Sequence, residues 1–280
     1  MPELPEVETV VRGLRSPLMG RTITNMTITW ERTIHSPAPD LFMSQIYGQE
    51  VIDVSRRAKY IVITLTDITL LVHLKMTGRL YVVPTSAENE ADKWVRVVFD
   101  LDNDHQLRFS DSRKFGKLYL TNDTATFFAH IGPEPLTDNF TPTDFLTRLS
   151  SHHKAIKALL LDQSFLAGVG NIYADEALFR AKIHPTTPAN RLNTPQATLL
   201  YHAIREVLNA GIDHEGASIN WYRKPDGTKG SSQDHFAVYG RDGAPCLVCG
   251  NIIHKIRLAQ RGTHFCPHCQ PIISEETNSC

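Results

Sequence analysis

CLVCGNIIHKIRLAQRGTHFCPHC, residues 246–269, is the stretch from which the rest can be read. Two Cys-x2-Cys knuckles, Cys246/Cys249 and Cys266/Cys269, stand 16 residues apart. Each short loop presents two thiolates, and the four together close a tetrahedral site for Zn²⁺ around a β-hairpin too small to own a core. Four protein ligands leave no open position, so the metal is read as structural. Cys280 lies outside the pattern and reads as a free tail thiol. An odd cysteine count with this clustering does not resemble a secreted disulfide framework. Lys255, Arg257 and Arg261 lie between the knuckles with no acid from 251 to 265, and Gln260-Arg261-Gly262 sits where the hairpin should turn. A hairpin tip carrying Arg suits a phosphate or a nucleic-acid groove. A solvated charged face explains it equally well.

Upstream, residues 222–235 are polar, with Gly227 and Gly230, and read as a mobile loop. Before them the apolar period is helical. Thr194 as N-cap with Pro195 behind it starts a helix whose face is Leu199, Leu200, Ala203, Ile204, Val207 and Leu208, stopped at Gly211. Residues 172–182 form another helix, after a turn at Gly168-Val169-Gly170-Asn171. Thr143 or Asp144 caps a further helix carrying Phe145, Leu146 and Leu149, and Ile156, Leu159 and Leu160 continue an apolar stripe. Residues 131–141 read as a linker. Between about 21 and 130 the pattern is of short β-rich runs at 22–30, 51–54, 60–65, 69–74, 79–83, 94–101, 106–109 and 117–121, the spacing of a sandwich or barrel. The first segment is an amphipathic helix with Leu4, Val7, Val10, Val11, Leu14 and Leu18 on one face.

The whole chain of 280 residues, 41% hydrophobic and 21% charged, can bury a core. A net charge of −1 excludes a globally basic nucleic-acid binder, so any phosphate-binding surface must be local. The start has no basic, apolar leader pattern, and residues 60–74 are too polar and too short to span a bilayer. The expected setting is soluble and cytoplasmic.

Local charge does occur. Arg56, Arg57 and Lys59 form one cluster; Arg108, Arg113, Lys114 and Lys117 form another around Phe115, and Met76 follows Lys75. A basic rim with apolar wedges is how proteins kink a duplex and fill the gap left by an extruded base. Singly, each of these residues is more ordinary as core or as solvated surface. At the start of the chain, removal of Met1 leaves Pro2 with a free secondary amine, of pKa roughly 8 against roughly 10.4 for a lysine. Attack of that amine on an aldehyde-like carbon gives a cationic iminium directly, and the iminium is an electron sink. Glu3 stands beside it as a proton donor.

Taken in order, Pro-Glu-Leu-Pro-Glu-Val-Glu-Thr at 2–9, Arg-Arg-Ala-Lys-Tyr at 56–60, His-Leu-Lys-Met-Thr-Gly at 73–78, Asp-Ser-Arg-Lys-Phe-Gly at 111–116, Gly-Pro-Glu-Pro-Leu at 132–136, Gly-Val-Gly-Asn-Ile-Tyr-Ala at 168–174, Val-Tyr-Gly-Arg at 238–241 and the four-cysteine hairpin resemble bacterial formamidopyrimidine-DNA glycosylases over essentially the whole chain. The resemblance implies an α+β fold. An N-terminal helix with a β-sandwich (1–131) is followed by a helix–two-turns–helix domain (132–221), a lesion-recognition loop (222–236) and a zinc finger (237–271), with DNA in the cleft between domains. It implies removal of oxidised purines, 8-oxoguanine and formamidopyrimidines, from duplex DNA, followed by β,δ-elimination. Pro2 is then the nucleophile, Glu3 the acid, Lys59 the proton donor in β-elimination, and Arg261 the residue of δ-elimination. His73, Asn171 and Tyr239 grip phosphate. Met76, Arg113 and Phe115 fill the void and meet the opposite cytosine. Lys157 lies near the lesion, and Glu6 lies within reach of the base pocket. One zinc ion, a damaged duplex with the lesion opposite cytosine, no membrane and a monomer complete the expectation.

Departures are local. Asp92-Lys93-Trp94-Val95 stands where members often have His-Asp-His-Val, His152-His153-Lys154 replaces a lysine-rich run and leaves His152 as the DNA-facing candidate, and Lys75 stands where many have Gly. Two other readings compete. One is the endonuclease VIII-like sister branch, which usually alters Leu4 and the Met76/Arg113/Phe115 trio. The other is a zinc-ribbon DNA-binding protein without catalysis.

Overall fold

In the computed structural model, which describes residues 1–219 and 221–272, the first helix, α1 (Leu4–Leu18), realises the periodicity read above. Leu4, Val7, Val10, Val11, Leu14 and Leu18 are all buried, each contributing roughly 1.5–3 kcal/mol at most. Glu3 is its N-cap and Glu6 reciprocates in a capping box, which satisfies orphan amides at the helix start.

The chain divides into two units, residues 1–130 with 211–233 and residues 131–210 with 234–272. In the first, the strands are β1 (Ile23–Ile28), β2 (Ile34–Ser36), β3 (Val51–Arg57), β4 (Tyr60–Leu65), β5 (Thr69–His73), β6 (Gly78–Pro84), β7 (Val95–Leu101), β8 (His105–Asp111) and β9 (Lys117–Thr121), with helices α2 (Pro39–Ile46) and α3 (Thr124–Phe128). They form a four-stranded sheet, β1-β7-β8-β6, and a five-stranded sheet, β2-β9-β5-β4-β3. All pairs are antiparallel except β2 with β9. One core joins the α1 face to Leu70, Val72, Val97, Phe99, Phe109 and Leu118 of the two sheets. The β2–α2 segment went unread in the sequence because it is short and buries only Ile34, Phe42 and Ile46 in this core, too few positions for a period.

In the second unit, α4 (Pro142–Ser150) is capped by Thr141, with Asp144 accepting from the Thr141 N–H at 2.9 Å. This corrects the expected cap at Thr143 or Asp144: the pair is a capping box beginning two residues earlier. Helices α5 (Ile156–Leu160) and α6 (Asn171–Arg180) are joined by turns gathered by Gln163, whose side chain bonds the Val169 carbonyl and the Gly168 N–H, both at 2.9 Å. Helix α7 (Thr194–Asp213) is capped by Asn193, not Thr194: Asn193 and Gln196 exchange side-chain-to-backbone bonds of 2.9 and 3.1 Å. It runs past Gly211, since a glycine ends a helix only where the backbone turns left-handed, and that happens at Glu215 and Gly216 (φ +57° and +81°). Strands β10 (His254–Leu258) and β11 (Arg261–Phe265) form the hairpin.

Candidate active site and metal centre

Pro2 is buried at the head of α1, followed by buried Glu3 and Glu6. The Glu6 carboxylate is divided between two main-chain donors, the Glu3 N–H at 2.8 Å and the Ala217 N–H at 2.8 Å. It therefore ties the chain start to the 214–233 segment of the same unit. Gly216 allows that approach, because a Cβ there would lie 2.9 Å from Glu6 Cγ.

α1 packs on β3 and β4, whose two-residue connection is Ala58-Lys59. Ala58 takes the left-handed conformation, φ +53°, that turns the chain back on itself. Lys59 is thereby carried into a buried position. Arg56 pairs with Glu8 at 3.2 Å and fastens this turn to the helix. His73 ends β5 beside two cations. Burial, reinforced by Lys75 and Lys59, pushes its pKa down to about 3, so the ring is neutral at physiological pH. Nδ1 accepts the Lys75 N–H at 3.0 Å, which leaves the proton on Nε2, a donor suited to an anionic oxygen. Burial, then the Lys117 charge, also lowers the pKa of Lys75.

Met76, Arg113 and Phe115 come together, although 37 residues separate the first two. The Arg113 Nη1 lies 3.3 Å from Met76 Sδ, and its guanidinium stands 4.7 Å over the Phe115 ring. Met76 and Phe115 are 44% and 47% exposed, against the rule that such side chains go inside.

In the second unit α6 organises everything around it. Its first residue, Asn171, donates from Nδ2 to the Gly262 carbonyl at 3.0 Å. Asp175 accepts from Lys157 Nζ at 2.6 Å and from the His264 N–H at 2.9 Å. Glu176 accepts the N–H groups of Ala237, Val238 and Tyr239 at 2.8, 2.9 and 2.8 Å. Burial pushes the Glu176 carboxyl up while the three amides pull it back. Tyr239 is held edge-on to Phe236 and His264. Lys157, expected near the lesion with DNA, is 0% exposed: its ammonium is spent on Asp175 and the Gly262 carbonyl. In this arrangement it holds the hairpin. His152 is half-buried with its ring edge on Phe165. Arg261 is exposed. The turn itself is Ala259-Gln260, both left-handed (φ +47° and +59°), one residue before the expected place, so Arg261 opens β11.

The four thiols fit a zinc ion. All lie within 4.8 Å of one another, with Cys249–Cys266 at 3.5 Å and Cys246–Cys269 at 3.9 Å. A tetrahedron with Zn–S bonds of about 2.3 Å has edges of about 3.8 Å. Around them, among the described residues, Phe179, Val238 and Ile253 with partly buried Ala237 form a small core. Cys280 lies outside the described residues.

The residues missed in the sequence are Thr77, Asp111, Asp175 and Glu176. Each is a buried polar group; Thr77, Asp175 and Glu176 find their partners in distant segments, and Asp111 gathers the local amides of 113, 115 and 116 together with distant Thr77, so spacing alone carried no signal for them.

Fold and site together define a two-unit α+β chain with a proline-headed helix, an exposed cluster of Met76, Arg113 and Phe115, and a four-cysteine metal module. Residues 1–118 match the formamidopyrimidine-DNA glycosylase N-terminal domain, residues 131–223 its H2TH domain, and residues 243–272 a zinc finger found in FPG and IleRS. The chain is 44% identical over 276 residues to the formamidopyrimidine-DNA glycosylase of Protochlamydia amoebophila, covering 96% of this chain and 99% of that one. It also resembles the Lactococcus lactis Fpg (MutM) solved with a FAPY-dG containing DNA (37% identity, TM-score 0.89, covering 96% and 100%) and MutM solved with carbocyclic 8-oxo-G containing DNA (37%, 0.89, 97% and 100%). The chain belongs to the formamidopyrimidine-DNA glycosylase family. No helix among the described residues is long and apolar enough to cross a membrane.

Proposed function

We propose that this chain is a bifunctional DNA glycosylase and abasic-site lyase that removes oxidised purines, 8-oxoguanine and formamidopyrimidines, from duplex DNA. The observation that carries the reading is Pro2, buried at the head of α1 with Glu3 immediately behind it. Freed of Met1, the Pro2 nitrogen attacks C1′ of the extruded nucleotide. The bond from C1′ to the base breaks, the base leaves with a proton, and Glu3 protonates the sugar oxygen as the ring opens. The resulting C1′=N⁺ iminium acidifies C2′. Loss of that proton, with Lys59 as the proton-transfer group, expels the 3′ phosphate. A second elimination assisted by Arg261 expels the 5′ phosphate, and water hydrolyses the iminium to free the amine.

Extruding a base costs a few kcal/mol. Met76, Arg113 and Phe115 occupy the gap and meet the opposite cytosine, while His73, Asn171 and Tyr239 hold phosphates. His73 donates from Nε2 as a neutral ring. Asn171 has its Nδ2 on Gly262 and must use its remaining amide capacity or rearrange. Glu6 acts on the base pocket through the backbone it fixes, and His152 contributes from the rim. The zinc ion, held by Cys246, Cys249, Cys266 and Cys269, supplies folding energy to the hairpin and no chemistry. Segment 222–236 serves as the lesion-recognition loop between the 132–221 helical region and the 237–271 finger. The protein works as a monomer in the bacterial cytoplasm.

Borohydride reduction on a duplex with 8-oxoguanine opposite cytosine tests the reading. A covalent adduct is expected at Pro2 by mass spectrometry, and Pro2→Gly or a retained Met1 should abolish strand cleavage. An adduct on a lysine, or full activity with Met1 in place, would falsify it.

A further inference from the structure

We infer that Thr77 and Asp111 are a positioning pair that locks the Met76, Arg113 and Phe115 wedge into its working shape and so sets discrimination of the base opposite the lesion. This rests on the wedge reading above.

The wedge is built from two separate loops, residues 74–78 before β6 and residues 112–116 after β8. Their bases meet where Gly78 pairs with Asp111, at one end of the β6–β8 ladder. Asp111 is 0% exposed, and its two carboxylate oxygens collect four donors. One takes the Thr77 hydroxyl and the Arg113 N–H, the latter at 3.1 Å. The other takes the N–H groups of Phe115 and Gly116, both at 2.7 Å. The Thr77 Oγ1, buried as well, donates to Asp111 and lies 3.3 Å from the Arg113 N–H, which it also accepts. One carboxylate thus fixes the amides of two of the three wedge residues directly. Through Thr77 it holds the neighbour of the third.

The need for such a lock follows from the strain and exposure around it. Lys75 and Lys114, neither a glycine, sit at φ +52° and +60°, conformations that a free loop leaves. Gly116 has its backbone against the core: a Cβ would stand 2.3 Å from Phe109 Cζ. Exposed Met76 and Phe115 would collapse onto any apolar neighbour if the loops were slack, since burial is favourable for both. A buried carboxylate with every acceptor site used fixes the backbone, so the wedge meets DNA without an ordering cost and Arg113 arrives in one orientation. Asp111 and Thr77 touch neither the reacting sugar nor the base. They act through the residues they hold.

The test compares single-turnover excision of 8-oxoguanine opposite cytosine and opposite adenine, because the ratio of the two rates cancels any loss of folded protein. Thr77→Val removes the hydroxyl and keeps the shape, and should lower the ratio about tenfold, the factor produced by roughly 1.4 kcal/mol of misplacement. Asp111→Asn, which turns an NH₂ toward N–H donors, should lower it at least as far. Thr77→Ser restores the hydroxyl and should return the ratio to within about twofold of the parent, which a purely packing role for the threonine methyl would not do. Arg113→Ala sets the floor. If Thr77→Val and Asp111→Asn keep the parental ratio while Arg113→Ala collapses it, the pair does not position the wedge. If Arg113→Ala also leaves the ratio intact, the wedge reading fails and this inference goes with it.

Discussion

Asp175→Ala should strand a buried ammonium. Lys157 Nζ sits 2.6 Å from Asp175 Oδ1, and the two side chains are 0% and 1% exposed. At that separation, with an effective dielectric of about 20, the attraction is roughly 6 kcal/mol, much of it consumed by desolvating both charges. Removing one partner leaves the other uncompensated, at a cost of about 3–5 kcal/mol. At about 2–4 °C per kcal/mol, the second unit should melt roughly 6–20 °C lower. Replacing both charges, Lys157→Met with Asp175→Leu, should recover most of this, since apolar residues of similar volume pack without a desolvation cost. Recovery will be incomplete by about 1–3 kcal/mol, because the His264 N–H, 2.9 Å from Asp175, loses its acceptor. Scanning calorimetry of the zinc-loaded full chain reads both effects. A single variant melting within about 2 °C of the parent, or a double variant no better than the single, would refute the reasoning. Duplex affinity should follow, because Lys157 and Asn171 share the Gly262 carbonyl next to Arg261.

Beside the Pro2 and Thr77 experiments, two further outcomes are expected. Removing zinc with a chelator, or Cys249→Ser, should render residues 243–272 protease-sensitive and weaken duplex binding, because the local core is only a few residues and the metal supplies the folding energy; a chelated protein that binds its duplex as before would contradict this. His73 has a folded pKa of about 3 against 6.5 for a free imidazole. Its neutral form costs nothing above pH 6.5. As pH falls below that, the unfolded chain takes up a proton that the native state refuses, so stability declines until about pH 3, by roughly 3 kcal/mol at about pH 4. His73→Gln should flatten the acid limb of a denaturation-versus-pH series; an unchanged limb would show that the ring is solvated.

Much of the chemistry was legible because it is local in sequence. A Cys-x2-Cys pair needs only a tight loop to present two thiolates, and a proline freed of Met1 would need no partner to be a secondary amine. The first helix was legible because six apolar residues repeat at its period. Caps were misplaced at α4 and α7 because Thr141/Asp144 and Asn193/Gln196 compete with equally good neighbours, and only backbone geometry chooses between them. Segment 34–46 was missed because it buries too few side chains to show a period.

By itself, then, the order of residues determined the α+β class, the metal ligands, the candidate nucleophile and the sheet-forming runs, all of which follow from chemistry or periodicity within a few positions. Tertiary structure alone decided that Lys157 is an internal tie and not a surface charge, that His73 stays neutral, and that Asp111 joins the loops at 74–78 and 112–116. Burial and charge state depend on what the rest of the chain brings within about 3 Å, and that is a property of packing.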